Sequence, residues 1–156
     1  MIREFDETCL SLCKFQGRLF EKSLTSIEGS SPVFIKCFMN SVEASHMDED
    51  GFLFESEDVE SVLSQLKRKH SFGRGTTKYS ENSLYWMGYL YRYWCYTYLL
   101  SSKEVYRIIR ADELFSLYLP YHTLDVGAAI NRILEAKNMI SGKNALDCLK
   151  KAYGMQ

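Results

Sequence analysis

Residues 85–98 constrain the fold of this chain more than any other stretch, because eight of these fourteen residues are aromatic. They are Tyr85, Trp86, Tyr89, Tyr91, Tyr93, Trp94, Tyr96 and Tyr98. A helix that is apolar on every face is normally enclosed by other helices. The stretch 84–100 just reaches the length of a membrane span, but Arg92 stands at its centre and six tyrosine hydroxyls line it. Tyrosine belongs at the membrane interface, so the sequence favours a buried helix in a globular domain.

The first part of the chain repeats apolar residues at helical spacing. An amphipathic helix is expected from Ile2 to Phe20, fading near Gly29. Ser31 and Pro32 are then expected to be the N-cap and the first residue of a short apolar helix.

Further helix signals continue along the chain. Later helices are expected to begin at Ser56 or Glu57, after the cap Ser80 (helix 81–100), at the capping box Ser101–Glu104, at Glu113, after the cap Asp125, and over 145–153. Pro120 should stop the helix that starts at Glu113, and Gly88 should let one neighbouring backbone approach the aromatic helix. No window alternates with period two for long enough to need a sheet. We therefore predict an all-α fold: a single domain over 1–156, built as a bundle of six to eight helices around the central aromatic helix.

Charge and cysteine usage indicate where such a domain works. Nineteen basic and twenty acidic residues leave a net charge of −1, so no global attraction draws the chain to nucleic acid or to an acidic membrane. Acidic residues stand where a secretory signal would be basic. Five scattered cysteines, an odd number, are typical of reduced thiols. We predict a cytoplasmic protein whose partner is another protein.

The residue types that carry catalysis or bind metals form no recognisable set. His46, His70 and His122 lie far apart in the sequence, and Cys9 and Cys13 lack the further Cys or His pair of a zinc site. The run GRGTTK at 73–78 lacks the residue order of a phosphate-binding P-loop. The acidic run 48–51 lacks the spacing of a calcium loop and is expected to be a solvated turn. The sequence thus indicates no catalytic residue, no metal site and no cofactor.

The aromatic helix leaves two interpretations open. Either all of it belongs to the core, or part of it is an exposed docking face, since Tyr, Trp and Arg dominate binding hot spots. Arg92 either stacks on rings or pairs with a carboxylate inside the fold, or it faces a pocket and binds an anion. His122, with Thr123, stands in a short link between two apolar helices and either fixes that turn or faces a partner. The candidate partner-binding residues are Tyr89, Arg92, Tyr93 and His122.

Three motifs carry a resemblance to known proteins: YWMGYLYRYW at 85–94, SSKEVYRII at 101–109 and YLPYHTLD at 118–125. They resemble a family of small uncharacterised bacterial proteins with a YW-x-GY-x-YRYW helix, an SSKE-x-Y segment and an HT-[LM]-D turn. The second and third motifs are also similar to a shorter family of helical proteins encoded beside ADP-ribosyltransferase-like toxins. The matching motif positions are Tyr85, Trp86, Gly88, Arg92, Tyr93, Trp94, Lys103, Glu104, Tyr106, His122, Thr123 and Asp125.

The resemblance implies an antitoxin-like or toxin-associated accessory protein. We predict a non-catalytic module that binds a toxin's active site or substrate-binding face and acts by steric occlusion. The main alternative is a small enzyme whose pocket holds Arg92, Tyr93 and His122. A third is a DNA-binding autoregulator in which 111–118 would enter the groove, although that segment has no Arg, Lys, Asn or Gln to contact base edges. The sequence leaves the oligomeric state and the identity of the partner open.

Overall fold

The computed structural model describes residues 2–49, 58–73 and 75–138, and these residues form nine α-helices and no β-strand. The helices are α1 (Glu7–Ser26), α2 (Ser31–Met39), α3 (Val42–Asp48), α4 (Val59–Lys69), α5 (Glu81–Tyr98), α6 (Ser102–Ile108), α7 (Ala111–Ser116), α8 (Tyr118–Tyr121) and α9 (Val126–Ala136). The all-α class is confirmed. The described helices outnumber the six to eight predicted because the short α3 and α8 were not anticipated. The helix predicted over 145–153 lies outside the described residues.

Side-chain caps determine where most of these helices begin. In seven of them a Ser or Asp oxygen accepts the backbone N–H three residues further on, and these caps are Asp6, Ser30, Ser41, Asp58, Ser80, Ser101 and Asp125. Each such cap is worth about 1 kcal/mol. The predicted caps Ser80 and Asp125 and the Ser101–Glu104 capping box are confirmed.

Four predicted helix starts were wrong by a few residues, one of them that of α7, which begins at Ala111 and not at Glu113. The first helix begins at Glu7 rather than Ile2, because Asp6 caps it. Ser30, not Ser31, caps α2, so Pro32 is its second residue. The helix expected from Ser56 or Glu57 begins at Val59.

The most extensive helix pair in the described fold is α1 with α5. The two backbones touch at Gly88, where a Cβ would lie 2.5 Å from the carbonyl oxygen of Gln16 and 2.9 Å from Phe20 Cγ. The predicted close approach at Gly88 is therefore confirmed. The amide of Gln16 also donates from Nε2 to the Gly88 carbonyl oxygen at 3.1 Å, which ties the pair at the same point.

Most of α5 is buried. Twelve of its eighteen residues are enclosed, and the helix packs against α6, α7, α8 and α9 as well as α1. Trp94 and Tyr91 are completely inaccessible, and the Tyr91 hydroxyl donates to the Ile109 carbonyl oxygen at 2.7 Å. Among the described helices, α5 included, none has the length and apolarity that crossing a membrane requires.

The residue that ends α5 has an unusual backbone. Leu99 has a φ of 55° and a ψ of 45°, which is the left-handed region. A Cβ atom crowds the following carbonyl oxygen there, so this conformation normally favours glycine. The Leu99 side chain is 44% exposed and gives up little burial when it is removed.

We therefore expect Leu99→Gly to be more stable than Leu99→Ala by about 1 kcal/mol, the reverse of the usual order of these residues in helices. Both variants lose the same exposed side chain, so the comparison isolates the backbone conformation. Urea unfolding measures the difference as a change in midpoint. Equal stability of the two variants would show that residue 99 carries no strain.

Candidate functional site

One face of α5 is less buried than the rest of the helix. Between Ser83 and Tyr98 every position is buried except four, and each of those four is a half-buried tyrosine. They are Tyr85, Tyr89, Tyr93 and Tyr96. Steps of four, four and three residues place them in a single line along the helix. We call this line the tyrosine stripe.

The first three tyrosines of the stripe have unused hydroxyl groups. The hydroxyls of Tyr85, Tyr89 and Tyr93 form no hydrogen bond with any described residue. Burial raises the pKa of Tyr89 to about 12, and it also raises the pKa values of Tyr85 and Tyr93. At neutral pH the three groups are therefore uncharged O–H donors that can also accept. All three side chains are half accessible to solvent.

Neighbouring helices fix the orientation of these rings. A Cβ at Gly17 of α1 would lie 2.9 Å from the ring of Tyr85, so that ring packs closely against α1 at this glycine. The rings of Tyr85 and Tyr89 lie 6.2 Å apart between centroids. Across the helix, the Tyr93 hydroxyl oxygen lies 2.9 Å from a Cβ placed on Gly127 of α9. The stripe is thus supported by α1 on one side and by α9 on the other.

Residues 2–6, which precede α1, cover the end of the stripe, and we call them the strap. The ring of Phe5 stacks on Tyr93 with centroids 5.4 Å apart, and the guanidinium of Arg3 lies 4.3 Å above the ring of Tyr96. The backbone N–H of Arg3 donates to the Thr97 carbonyl oxygen at 2.6 Å. The Tyr96 hydroxyl donates to the carboxylate of Asp6 at 2.9 Å, and this bond helps lower the pKa of Asp6, after the larger effect of the Cys9 N–H.

Arg92 points into the fold instead of toward the stripe. Its side chain is only 1% exposed. Nη1 donates to Asp48 Oδ1 at 2.6 Å, Nε to Gln16 Oε1 at 2.8 Å, and Nη2 to Ser102 Oγ at 2.9 Å. Because the guanidinium is enclosed and each of its nitrogens has a partner, direct contact of Arg92 with another protein is not supported. Of the two interpretations, pairing with an internal carboxylate is the one observed.

Asp48 completes this group, which we call the arginine hub (Gln16, Asp48, Arg92 and Ser102). Its Oδ2 accepts the backbone N–H of Ser102 at 2.9 Å and its Oδ1 accepts the Ser102 hydroxyl at 2.7 Å. The expectation that Asp48 lies in a solvated turn was wrong, since it ends α3 and is mostly enclosed. The hub joins α1, α3, α5 and α6, and so holds α5 in position.

His122 is exposed in the turn that follows α8. Its Nδ1 lies 2.8 Å from the carbonyl oxygen of Tyr118, and its ring stacks on that of Tyr118 at 4.4 Å. Tyr118 in turn meets Trp86 edge-on at 5.6 Å. These contacts fit the turn-fixing interpretation of His122. The neighbouring Leu119, at 80% exposure, is the most exposed large apolar residue among those described.

The structure brings together only part of the predicted partner-binding set. Tyr89 and Tyr93 share the stripe, while Arg92 is buried beneath it and His122 packs on α8. Arg92, Tyr93 and His122 each have different partners, namely Asp48, Phe5 and Tyr118. Sequence reasoning missed Tyr85 and Tyr96 as members of the same face. The spacing of the tyrosines, four, four and three, was the signal that could have found them.

The described cysteines are free thiols. Cys9 and Cys13 are buried on one face of α1 with their sulfur atoms 3.8 Å apart, and Cys95 is also buried. Burial raises the pKa of Cys13, and it raises that of Cys95 to about 12, so neither is an activated thiolate. Within 2–49, 58–73 and 75–138, no three His, Cys, Asp or Glu side chains converge on a point that could hold a metal ion.

The helix that would read DNA in the third alternative is acidic. Asp112 and Glu113 are exposed on α7, together with Phe115 and Ser116. The two carboxylates do not suit a DNA groove, because the phosphates repel them. The exposed face of α7 therefore offers no support for base recognition.

Comparison of the chain with protein-family models, with curated proteins and with solved structures finds no match. No relative therefore supplies a reaction, a ligand or a partner.

Proposed function

We propose that this chain is a non-catalytic protein-binding module, organised around α5, whose tyrosine stripe docks on a partner protein. The observation that carries the proposal is the row of three half-exposed tyrosines, Tyr85, Tyr89 and Tyr93, whose hydroxyls have no hydrogen bond with any described residue. Tyrosine is enriched in binding hot spots because it offers a large apolar face and a polar tip with few rotatable bonds. A partner that covers the stripe satisfies the three hydroxyls and buries the rings.

The partner we propose is a toxin, with this chain occluding its active site or its substrate-binding face. The resemblance of 85–94, 101–109 and 118–125 to antitoxin-like proteins supports this choice. The near-neutral charge also favours a protein over a nucleic acid. The proposal places the protein in the cytoplasm, where buried thiols such as Cys9 and Cys13 stay reduced.

In this proposal Arg92 and His122 are positioning residues. The arginine hub fixes the rotation of α5, and thereby decides which of its tyrosines face outward. His122 fixes the turn that leads from α8 into α9. The partner-binding residues of this proposal are Tyr89 and Tyr93, together with Tyr85 and Tyr96 because these lie on the same face of α5.

Co-expression with the protein encoded by the adjacent gene tests the proposal. We expect that protein to be toxic alone, to be neutralised by this chain, and to co-purify with it. Tyr89→Ala should raise the Kd of the pair about 30-fold, the effect of a typical hot-spot residue. Tyr121→Ala is the matched control, because Tyr121 is a half-buried tyrosine on α8 and should leave the Kd unchanged.

Two results would contradict different parts of this proposal. A neighbouring product that is harmless and does not co-purify rules out the antitoxin role. A captured partner whose Kd is the same for Tyr89→Ala, Tyr93→Ala and the Tyr121→Ala control shows that docking uses another surface.

A further inference from the structure

The strap already occupies part of the tyrosine stripe, and its contacts show which chemical groups pack on Tyr93 and Tyr96. Arg3 and Phe5, two residues apart, contact Tyr96 and Tyr93, which are neighbours on α5. In an extended segment, residues two apart lie on the same side. Glu4, between them, is exposed. Tyr96 and Tyr93 thus pack against a guanidinium and an aromatic ring from residues two apart, and the bond of the Arg3 N–H to the Thr97 carbonyl oxygen holds the backbone of the strap beside them.

The strap is more exposed than the core beneath it. Phe5 remains 43% exposed and Ile2 remains 38% exposed. The strap leaves Tyr85 and Tyr89 uncovered, although they continue the same line of rings. Asp6, by contrast, is fixed, since its carboxylate caps α1 through the Cys9 N–H at 2.9 Å. The contacts that can be lost without disturbing this cap are those of Arg3 and Phe5 with α5.

We infer that the strap is an internal placeholder, and that the partner docks with an extended segment carrying an arginine and an aromatic residue two positions apart. This inference rests on the proposed function and names the chemistry of the contact. On binding, the partner's segment replaces Arg3 and Phe5 on Tyr96 and Tyr93 and extends over Tyr89. No covalent step is involved.

A placeholder lowers the affinity of the chain for any segment of the same chemistry. A tethered occupant competes at an effective concentration in the millimolar range. If the strap covers the stripe in about nine molecules of ten, the apparent affinity for an external segment falls about tenfold. Loss of the Arg3 and Phe5 contacts removes that competition while the Asp6 cap still starts α1.

The direct test uses a synthetic peptide with the sequence of residues 2–7, Ile-Arg-Glu-Phe-Asp-Glu, titrated into the isotope-labelled full chain and followed by NMR. The double variant Arg3→Ala/Phe5→Ala should bind the peptide about tenfold more tightly than the native chain does, with amide shifts centred on Tyr93, Tyr96 and Thr97. Arg3→Ala and Phe5→Ala alone should each give a smaller gain. Glu4→Ala is the matched control, from the same segment, and should behave like the native chain.

A control peptide with alanine at its arginine and phenylalanine positions should not bind any of these chains. The inference is overturned if the double variant, with its helix content intact by circular dichroism, binds the native-sequence peptide no better than the native chain does. It is also overturned if the native chain and the double variant form a mixed dimer, since the occupant is then a second copy of this chain.

Capture of the partner by variants of this chain tests the role of the strap and the docking function separately. If both hold, Tyr89→Ala weakens capture and Arg3→Ala/Phe5→Ala strengthens it. If the strap variant weakens capture while Tyr89→Ala does so too, the strap belongs to the docking face; the placeholder is then refuted and the docking function stands.

Discussion

Replacing Arg92 with methionine should lower the free energy of unfolding by about 3–5 kcal/mol, because it leaves Asp48 enclosed without its cation. Asp48 is only 14% exposed, and Arg92 Nη1 lies 2.6 Å from its Oδ1. The same change removes the donors to Gln16 and Ser102, so contacts to α1 and α6 are lost together. Chemical denaturation monitored by tryptophan fluorescence measures the loss.

The ion pair of Lys137 with Glu113 is the control for the Arg92 prediction. Its side chains are 23% and 48% exposed, so Lys137→Met should cost no more than about 1 kcal/mol. Adding Asp48→Asn to Arg92→Met removes the stranded charge, and the double variant should be more stable than Arg92→Met alone. If Arg92→Met costs no more than Lys137→Met, the hub does not hold the helices together.

Gly88→Ala should destabilise the fold by about 2–3 kcal/mol, although alanine is the better helix former. The new Cβ would lie 2.5 Å from the Gln16 carbonyl oxygen, and a backbone atom in the middle of α1 cannot move away alone. The α1–α5 pair must separate, which also lengthens the bond from Gln16 Nε2 to the Gly88 carbonyl oxygen. Thermal unfolding measures the effect as a lower Tm.

Gly127→Ala is the matched control, since Gly127 is also a glycine inside a helix. Its Cβ would meet the Tyr93 hydroxyl at 2.9 Å, which is the end of a side chain that can shift. The change in stability should stay within about 1 kcal/mol, because better helix propensity offsets the small adjustment. A Gly88→Ala variant as stable as the native chain would show that α1 and α5 do not touch at this point.

Local signals in the sequence were sufficient to predict much of the fold. Ser80, Ser101 and Asp125 are helix caps because each acts on an N–H only three residues away. Gly88 was recognisable because a glycine amid large residues marks a place where something must come close. The all-α class followed from the repeated helical spacing, which depends on neighbours along the chain.

Features that depend on distant partners were not predictable in the same way. Asp48 stands in the acidic run 48–51, which resembles a solvated turn, and its cation Arg92 lies forty-four residues further on. The direction in which Arg92 points is likewise determined by Gln16 and Ser102, which one sequence cannot place beside it. The candidate site was therefore predicted only in part, through Tyr89 and Tyr93.

Two local patterns led to wrong predictions, one at the start of α1 and one at Pro120. Ile2 and Phe5 continue the helical spacing of α1, but Phe5 is held by Tyr93 while Asp6 starts the helix after it. Pro120 was expected to stop a helix, yet it lies within α8. Proline fits there because the first turn of a helix does not use its backbone N–H groups.

The pairing of α1 with α5 also has a consequence for how the chain reaches its fold. More than fifty residues separate Ser26 from Glu81, so α1 leaves the ribosome roughly 3–10 s before α5 does. During that interval the apolar side of α1, with Leu12, Leu19 and Phe20, lacks its principal cover. Helical proteins usually fold fast because their contacts are local. In this chain the largest helix pair, α1 with α5, joins segments that are distant in the sequence. We therefore expect folding to be slow for an all-helical protein.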